Sequence, residues 1–159
     1  VQQALDVARA LGDDLEMLEQ PVVVGDLEGL AQVSRASPVP VLADQSVTSP
    51  ESALRLVSER RVHGVSIKLA VCGGLRGARQ LDAIAKAARA VTMVGCLVEP
   101  ALLIAAGLSF ALSSSNVQYG DLDGHLDLVN DPTRMGFSLE DGWLIATETP
   151  GLGCMVDLC

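Results

Sequence analysis

Aromatic side chains are scarce. Two Phe, one Tyr and one Trp make up 3% of a 159-residue chain that is 49% hydrophobic. A core built from such a sequence rests on Val, Leu, Ile and Ala, the composition of parallel strands buried on both faces. Basic blocks and acidic tails are missing as well. Eleven basic against 20 acidic residues leave a net charge of −9, which works against nucleic acid and anionic membrane as partners. The four cysteines (Cys72, Cys96, Cys154, Cys159) form no C-x-x-C pair and follow no signal peptide. Neither a disulfide framework nor a zinc site is expected, and a reducing cytoplasm fits. A nucleophile elbow, a P-loop, a dinucleotide fingerprint and H-E-x-x-H are all absent.

Residues 91–112 are almost wholly apolar, but Glu99-Pro100 interrupts them and no Lys/Arg cluster flanks them. A charge in mid-span is costly, so a membrane helix is not expected.

What is present is a repeat. Short apolar runs, LEMLE, VPVLAD, VSIK, MVGCLVE and NVQYGDLD, each end on charge at Glu19, Asp44, Lys68, Glu99 and the Asp121/Asp123 pair. Helical patterns fill the gaps: residues 1–12 closed by Gly12, residues 26–37 with Asp26 as N-cap, and Ser49 as N-cap with Pro50 at the first helical position. A helix from about Leu75 to Ala90 follows a tight turn at Gly73-Gly74, and another runs from Pro100 to Leu112. Strands are expected at 15–19, 41–43, 65–69, 91–95 and, weakly, 116–119. Strand, polar loop and helix alternating every 25 residues or so indicate βα units and a parallel sheet. The loops after the strands of a β/α barrel open on one face, where such enzymes build their sites. A complete barrel needs about 250 residues. The chain begins at Val1 without Met and is read as part of a longer protein. Two domains are expected: a partial β/α barrel over 1–133 and an extended tail over 134–159, rich in turn chemistry, that packs on a capping domain.

Each charged strand end has two readings. Glu19 and Asp44 end adjacent strands and are candidates to converge on a hard cation such as Mg²⁺, which takes oxygen ligands; the alternative is two solvated loop acids. Lys68 closes an apolar strand, where desolvation and a nearby metal would tune it towards a base; the alternative is a snorkelling lysine. Glu99 is either an ion-pair partner for Lys68 or a helix-start carboxylate. Asp121 and Asp123 share one face of extended backbone and suit an ammonium group or a metal; the alternative is a turn with Asx-type bonds. His63 and His125 receive no role. Trp143 is read as a packing residue.

EQP (19–21), PVPVLADQS (38–46), IKLAVCGG (67–74), VGCLVEP (94–100) and DLDGHLDLVNDP (121–132), in this order, resemble the barrel domain of the enolase superfamily. The similarity is greatest to its muconate-lactonising branch and, within it, the dipeptide epimerases. The resemblance covers nearly the whole chain and implies an α/β fold, the fourth to eighth strands of a TIM-type (β/α) barrel. It implies that Glu19 and Asp44 are the second and third Mg²⁺ carboxylates and that Lys68 is the acid/base on one face of the substrate. It places Glu99, Cys96, Asp121 and Asp123 at the substrate, with the D-x-D pair holding an ammonium. The reaction implied is removal of a proton α to a carboxylate, through a Mg²⁺-stabilised ene-diolate. The substrate would be a dipeptide or another small carboxylate, and the full-length parent a homo-oligomer. The first metal carboxylate, the opposite-face lysine and the capping domain of that family would lie before Val1, so the chain alone is expected to be inactive. Departures from the pattern are Gln45, where the family has a carboxylate, Val71 where a second lysine is common, and Pro100 where Ser is common. Cycloisomerase, o-succinylbenzoate synthase and N-acyl amino acid racemase chemistry are the alternatives within the superfamily. A non-catalytic half-barrel that self-associates to cover its sheet edges is the alternative outside it.

Overall fold

The computed structural model describes residues 1–157. Its centre is one five-stranded sheet, all parallel and in sequence order: β1 (Leu18–Glu19), β2 (Val41–Ala43), β3 (Gly64–Lys68), β4 (Val91–Gly95) and β5 (Val117–Gly120). Each strand pairs with the next in the chain, the order of a sheet curling towards a barrel. Helices α1 (Gln2–Leu11), α2 (Leu27–Ala36), α3 (Pro50–Ser58), α4 (Leu69–Cys72), α5 (Gly74–Ala87) and α6 (Ala101–Ser113) alternate with the strands.

The core forms between sheet and helices. In β3, Val65 and Ile67 are fully buried and pack with Leu30, Val33, Leu56 and Leu81 from the helices. Strand geometry sends Ser66 and Lys68 to the opposite face. That alternation, with Val65 and Ile67 on the helix side, directs Lys68 into the concave side of the sheet.

The helix signals act as local chemistry requires. Asp26 Oδ1 accepts from Gly29 N at 2.8 Å and caps α2. Ser49 and Ser52 form a reciprocal capping box before α3, with Pro50 at its start. The expected strand over 15–19 is shorter than the pattern, because β2 offers partners only for Leu18 and Glu19. The turn at Gly73-Gly74 is a break between two helices. Gly73 has φ 86 and ends α4, a four-residue helix that the sequence pattern does not distinguish. Helix α5 stops at Ala87, and Arg89 with φ 60 turns the chain into β4.

A polar network ties the amino-terminal ends of β4 and β5 to α5. Asp82 Oδ1 accepts from Thr92 Oγ1 at 2.9 Å and Asn116 Nδ2 at 3.1 Å, and its Oδ2 accepts from Ser114 Oγ at 2.7 Å. Residues 91–112 divide into β4 and α6, and no helix among the described residues is long and apolar enough to cross a membrane. Cys72, Cys96 and Cys154 are free thiols; Cys159 lies outside the described residues.

After β5, a 3₁₀ turn (Gly124–Asp127) leads to two small antiparallel pairs, β6 (Thr133–Arg134) with β9 (Met155–Val156) and β7 (Phe137–Glu140) with β8 (Trp143–Ala146). The hairpin register corrects the reading of Trp143. Trp143 pairs with Glu140, and Ser138 pairs with Ile145. Those four residues share the outer face, whereas Phe137, Leu139, Leu144 and Ala146 share the other. Trp143 is consequently 75% exposed and Phe137 is buried. The tail packs on α6 through β6 and β8.

Candidate active site

All five parallel strands deliver chemistry at their carboxyl ends. Glu19 and Lys68 are the last residues of β1 and β3, and Asp44, Cys96 and Asp121 directly follow β2, β4 and β5. The parallel ladder brings these positions level, with Glu19 beside Leu42 and Lys68 beside Gly95. All seven residues singled out from the sequence gather here.

The tightest contact is an ion pair: Lys68 Nζ donates to Asp44 Oδ2 at 2.7 Å. Lys68 therefore pairs with Asp44 rather than with Glu99. The close approach of β3 and β4 depends on Gly95, where an added Cβ would stand 3.0 Å from both Lys68 Cε and Ser66 Oγ.

Glu19 lies beside this pair with its Oε1 buried and without a hydrogen-bond partner. Burial pushes its carboxyl above the ordinary glutamate value, and the charge of Asp44 adds to the rise. Ser66 and the Lys68 ammonium act the other way. An orphaned carboxylate oxygen at the end of a strand, next to a second carboxylate, is an arrangement that a cation would satisfy. The oxygens of Glu19 and Asp44 suit a hard ion such as Mg²⁺, with water or substrate filling the remaining positions.

A second group forms on the β4–β5 side. Cys96 Sγ and the carboxylates of Asp121 and Asp123 place their ligand atoms within 4.8 Å of one another. A thiol is a poor partner for Mg²⁺, and burial raises the Cys96 pKa, keeping it a neutral thiol. It accepts from Gly124 N at 3.3 Å and lies 3.7 Å from Asp123 Oδ1. Burial and the neighbouring Asp123 raise the Asp121 pKa. Both aspartates are exposed. They lie in irregular chain after β5, yet they remain on the same side, as their alternation predicts. Two like charges so placed are suited to an ammonium.

Glu99 is 5% exposed. Its pKa is raised by burial, partly offset by the Leu97 amide, which donates to its Oε2 at 3.3 Å, and by the Lys68 charge. Beside Lys68, between the loop after β2 and α4, lies a cavity of about 240 Å³, lined by Asp44, Gln45, Val47, Lys68, Val71 and Leu97, among others.

Two features escape sequence reasoning. Gln20 reaches from the β1 loop to the β2 loop, where its Oε1 accepts from Asp44 N at 3.1 Å and Ser46 N at 3.2 Å; nothing in the pattern of a loop glutamine marks this. His125 is 8% exposed, with both ring nitrogens unbonded, and stands edge-on to Phe137 at 5.2 Å.

A curled sheet of five parallel strands with charged carboxyl ends defines a β/α-barrel site. The chain belongs to the enolase C-terminal domain-like family, which it matches over residues 1–158. It is 41% identical over 140 residues to the L-Lys-D/L-Arg epimerase of Methylococcus capsulatus, covering 87% of this chain and 39% of that protein. It is 36% identical to the L-Ala-D/L-Glu epimerase of Bacillus subtilis, covering 89% of this chain and 39% of that protein. The structure superposes on the Methylococcus capsulatus dipeptide epimerase complexed with Mg and the dipeptide L-Arg-D-Lys. The TM-score is 0.88 at 38% identity, over 94% of this chain and 43% of that one. The chain thus spans about two fifths of the length of the relatives it matches, and its fold corresponds to the carboxyl-terminal part of the enolase-superfamily barrel.

Proposed function

We propose that this chain forms part of a Mg²⁺-dependent dipeptide epimerase that removes the proton α to a carboxylate. The observation that carries the reading is the buried, unpartnered Glu19 Oε1 beside the Lys68–Asp44 ion pair. It lies at the ends of three adjacent parallel strands. Similarity to dipeptide epimerases, one of them solved with Mg and a dipeptide, supports it.

Glu19 and Asp44 are the proposed cation ligands. The cation, when bound, supplies positive charge opposite a substrate carboxylate that gains a second negative charge as the α-proton leaves. Lys68 takes that proton on one face and returns it in the reverse direction. Asp44 holds the Lys68 side chain in place through the 2.7 Å contact to its Nζ, and a general base must be positioned in this way to act. Asp121 and Asp123 hold the free amino terminus of the dipeptide, Cys96 packs beside them as a neutral thiol, and Glu99 borders the substrate near Lys68. Inversion needs acid/base groups on both faces of the carbon, and among the described residues Lys68 is the one lysine at these strand ends. The 159-residue chain alone is therefore expected not to epimerise dipeptides.

The working protein is a cytoplasmic homo-oligomer acting on a small molecule. Residues 1–133 form the barrel portion and 134–159 the tail, which packs on a capping domain.

The test is exchange of the substrate α-proton in D₂O, followed by ¹H NMR with Mg²⁺ and a panel of dipeptides, in a protein that completes the barrel around this chain. Exchange should vanish in Lys68→Met. Asp123→Asn should lose dipeptides selectively and retain any N-acylated substrate. Unchanged dipeptide turnover in Asp123→Asn would remove the ammonium-binding role from Asp123, whereas a wild type that turns over no dipeptide would transfer the reading to cycloisomerase or N-acyl amino acid racemase chemistry. Robust turnover by the 159-residue chain would refute the need for a second base from elsewhere.

A further inference from the structure

Gln20 follows Glu19 directly and has φ 40, in the left-handed region that disfavours L side chains. Four hydrogen bonds hold it there. Its backbone N–H donates to Leu42 O at 2.9 Å and extends the β1–β2 ladder one residue past Glu19. Its Nε2 donates to Val22 O at 3.1 Å, bracing the side chain against its own loop. Its Oε1 accepts from the Asp44 and Ser46 amides, at 3.1 and 3.2 Å, using both carbonyl lone pairs. One side chain thus bridges the loop that carries Glu19 and the loop that carries Asp44, and it bonds the backbone of Asp44 itself.

We propose that Gln20 is a positioning residue for the cation site, fixing the separation and direction of the Glu19 and Asp44 carboxylates by clamping the Asp44–Ser46 loop to the end of β1. The inference rests on the reading of Glu19 and Asp44 as cation ligands. Mg²⁺ demands near-ideal octahedral geometry, whereas Ca²⁺ accepts irregular sites. Groups that orient metal ligands without touching the metal typically control affinity by about 10- to 100-fold. A clamp of this kind should therefore act on affinity and on the preference for Mg²⁺ over Ca²⁺. A mere loop staple would act on stability alone.

The experiment uses a protein that completes the barrel around this chain, with metal alone. Mn²⁺ binding is measured by electron paramagnetic resonance, with Mg²⁺ and Ca²⁺ as competitors, in the wild type, Glu19→Gln, Gln20→Met and Gln20→Glu. Gln20→Met has the same reach and no acceptor, and it should weaken Mn²⁺ and Mg²⁺ by about 10- to 100-fold. It should narrow the Mg²⁺ over Ca²⁺ preference and leave the far-ultraviolet circular dichroism unchanged. Gln20→Glu keeps the acceptor but loses the Nε2–H donor to Val22 O and adds a charge beside the site, so it separates the effect of charge from that of the clamp. Gln20→Asn keeps the amide but is one methylene shorter; it repeats the test if Met costs the fold. If Glu19→Gln weakens binding while Gln20→Met and Gln20→Asn do not, the positioning role is overturned and the cation reading stands. If the wild type takes up no Mn²⁺, or Glu19→Gln binds as well as wild type, the cation reading falls and this inference with it.

Discussion

Lys68 Nζ stands 2.7 Å from Asp44 Oδ2, with the two side chains 15% and 6% exposed. An ion pair this far from water is held by mutual need. Removing the lysine leaves a buried carboxylate without its counter-charge. Lys68→Met should therefore destabilise the chain by on the order of 3 kcal/mol, within the range for breaking a buried pair. Urea denaturation gives the value. Mg²⁺ should restore part of the loss, because a cation on Asp44 replaces the missing ammonium, and stabilisation grows with ligand concentration. A variant as stable as wild type would mean that Asp44 is better solvated than its burial indicates.

The second prediction concerns pH. Glu99 is buried, and burial raises its carboxyl above the ordinary value. The folded chain thus holds this proton to a higher pH than the unfolded chain does. A raised carboxyl contributes stability that is fully present below the unfolded value, about 4.3. That contribution is lost as pH rises through the folded value. At neutral pH the charged group is a burden, so Glu99→Gln should be more stable than wild type at pH 7. The two should converge as pH falls below about 4. The Leu97 amide keeps an acceptor in the glutamine. A stability difference constant from acid to neutral pH would contradict the assignment.

Why some of this was legible and some was not follows from the physics of each residue. Strands β2, β3 and β4 are buried on both sides, so short, largely apolar runs announce them, and charge follows each run at Asp44, Lys68 and Glu99. Lys68, Asp44 and Glu19 were visible because a charge closing such a run has few harmless places to go. The pairing of Lys68 with Asp44 instead of Glu99 was not visible. It depends on strand neighbours, β2 against β3, and on the close approach that Gly95 allows. Trp143 was misjudged because an aromatic in a short apolar run signals burial only if something covers its face, and hairpin register decides that. Gln20 was silent for another reason: its role lies in hydrogen bonds to backbone amides 24 and 26 residues away, and these leave no periodicity.

The third prediction separates stability from chemistry. Asp82 lies at the opposite end of the sheet, buried, accepting from Thr92, Ser114 and Asn116. Asp82→Ala would strand the Thr92 and Ser114 hydroxyls, whereas Asn116 Nδ2 keeps Ala90 O and Thr92 Oγ1 as acceptors; at roughly 1 kcal/mol for each stranded donor the loss should be about 2 kcal/mol. In barrel folds the amino-terminal face carries stability and the carboxyl-terminal face carries catalysis. The variant should melt earlier with its Mn²⁺ affinity unchanged wherever it remains folded. A matching loss of affinity would show that the two faces are coupled.

Gly95 leaves little space beside the Lys68 side chain. A methyl at position 95 would press on Lys68 Cε and Ser66 Oγ, both 3.0 Å away. Ser66 sits within a buried strand and has little room, whereas the lysine tail can swing. Gly95→Ala should therefore cost about 1 kcal/mol of strain, at the low end for overpacking. Its larger effect should be to displace Lys68 Nζ from Asp44. ¹⁵N-detected NMR of the lysine ammonium reads that displacement directly, as faster proton exchange and loss of the Asp44 contact. In a completed barrel the same variant should lose α-proton exchange far more than its stability loss explains, because the base must keep its position to within a fraction of an ångström to act. If Lys68 keeps its contact with Asp44 in Gly95→Ala, the glycine serves the approach of β3 to β4 alone, and the placement of the base depends on Asp44 alone.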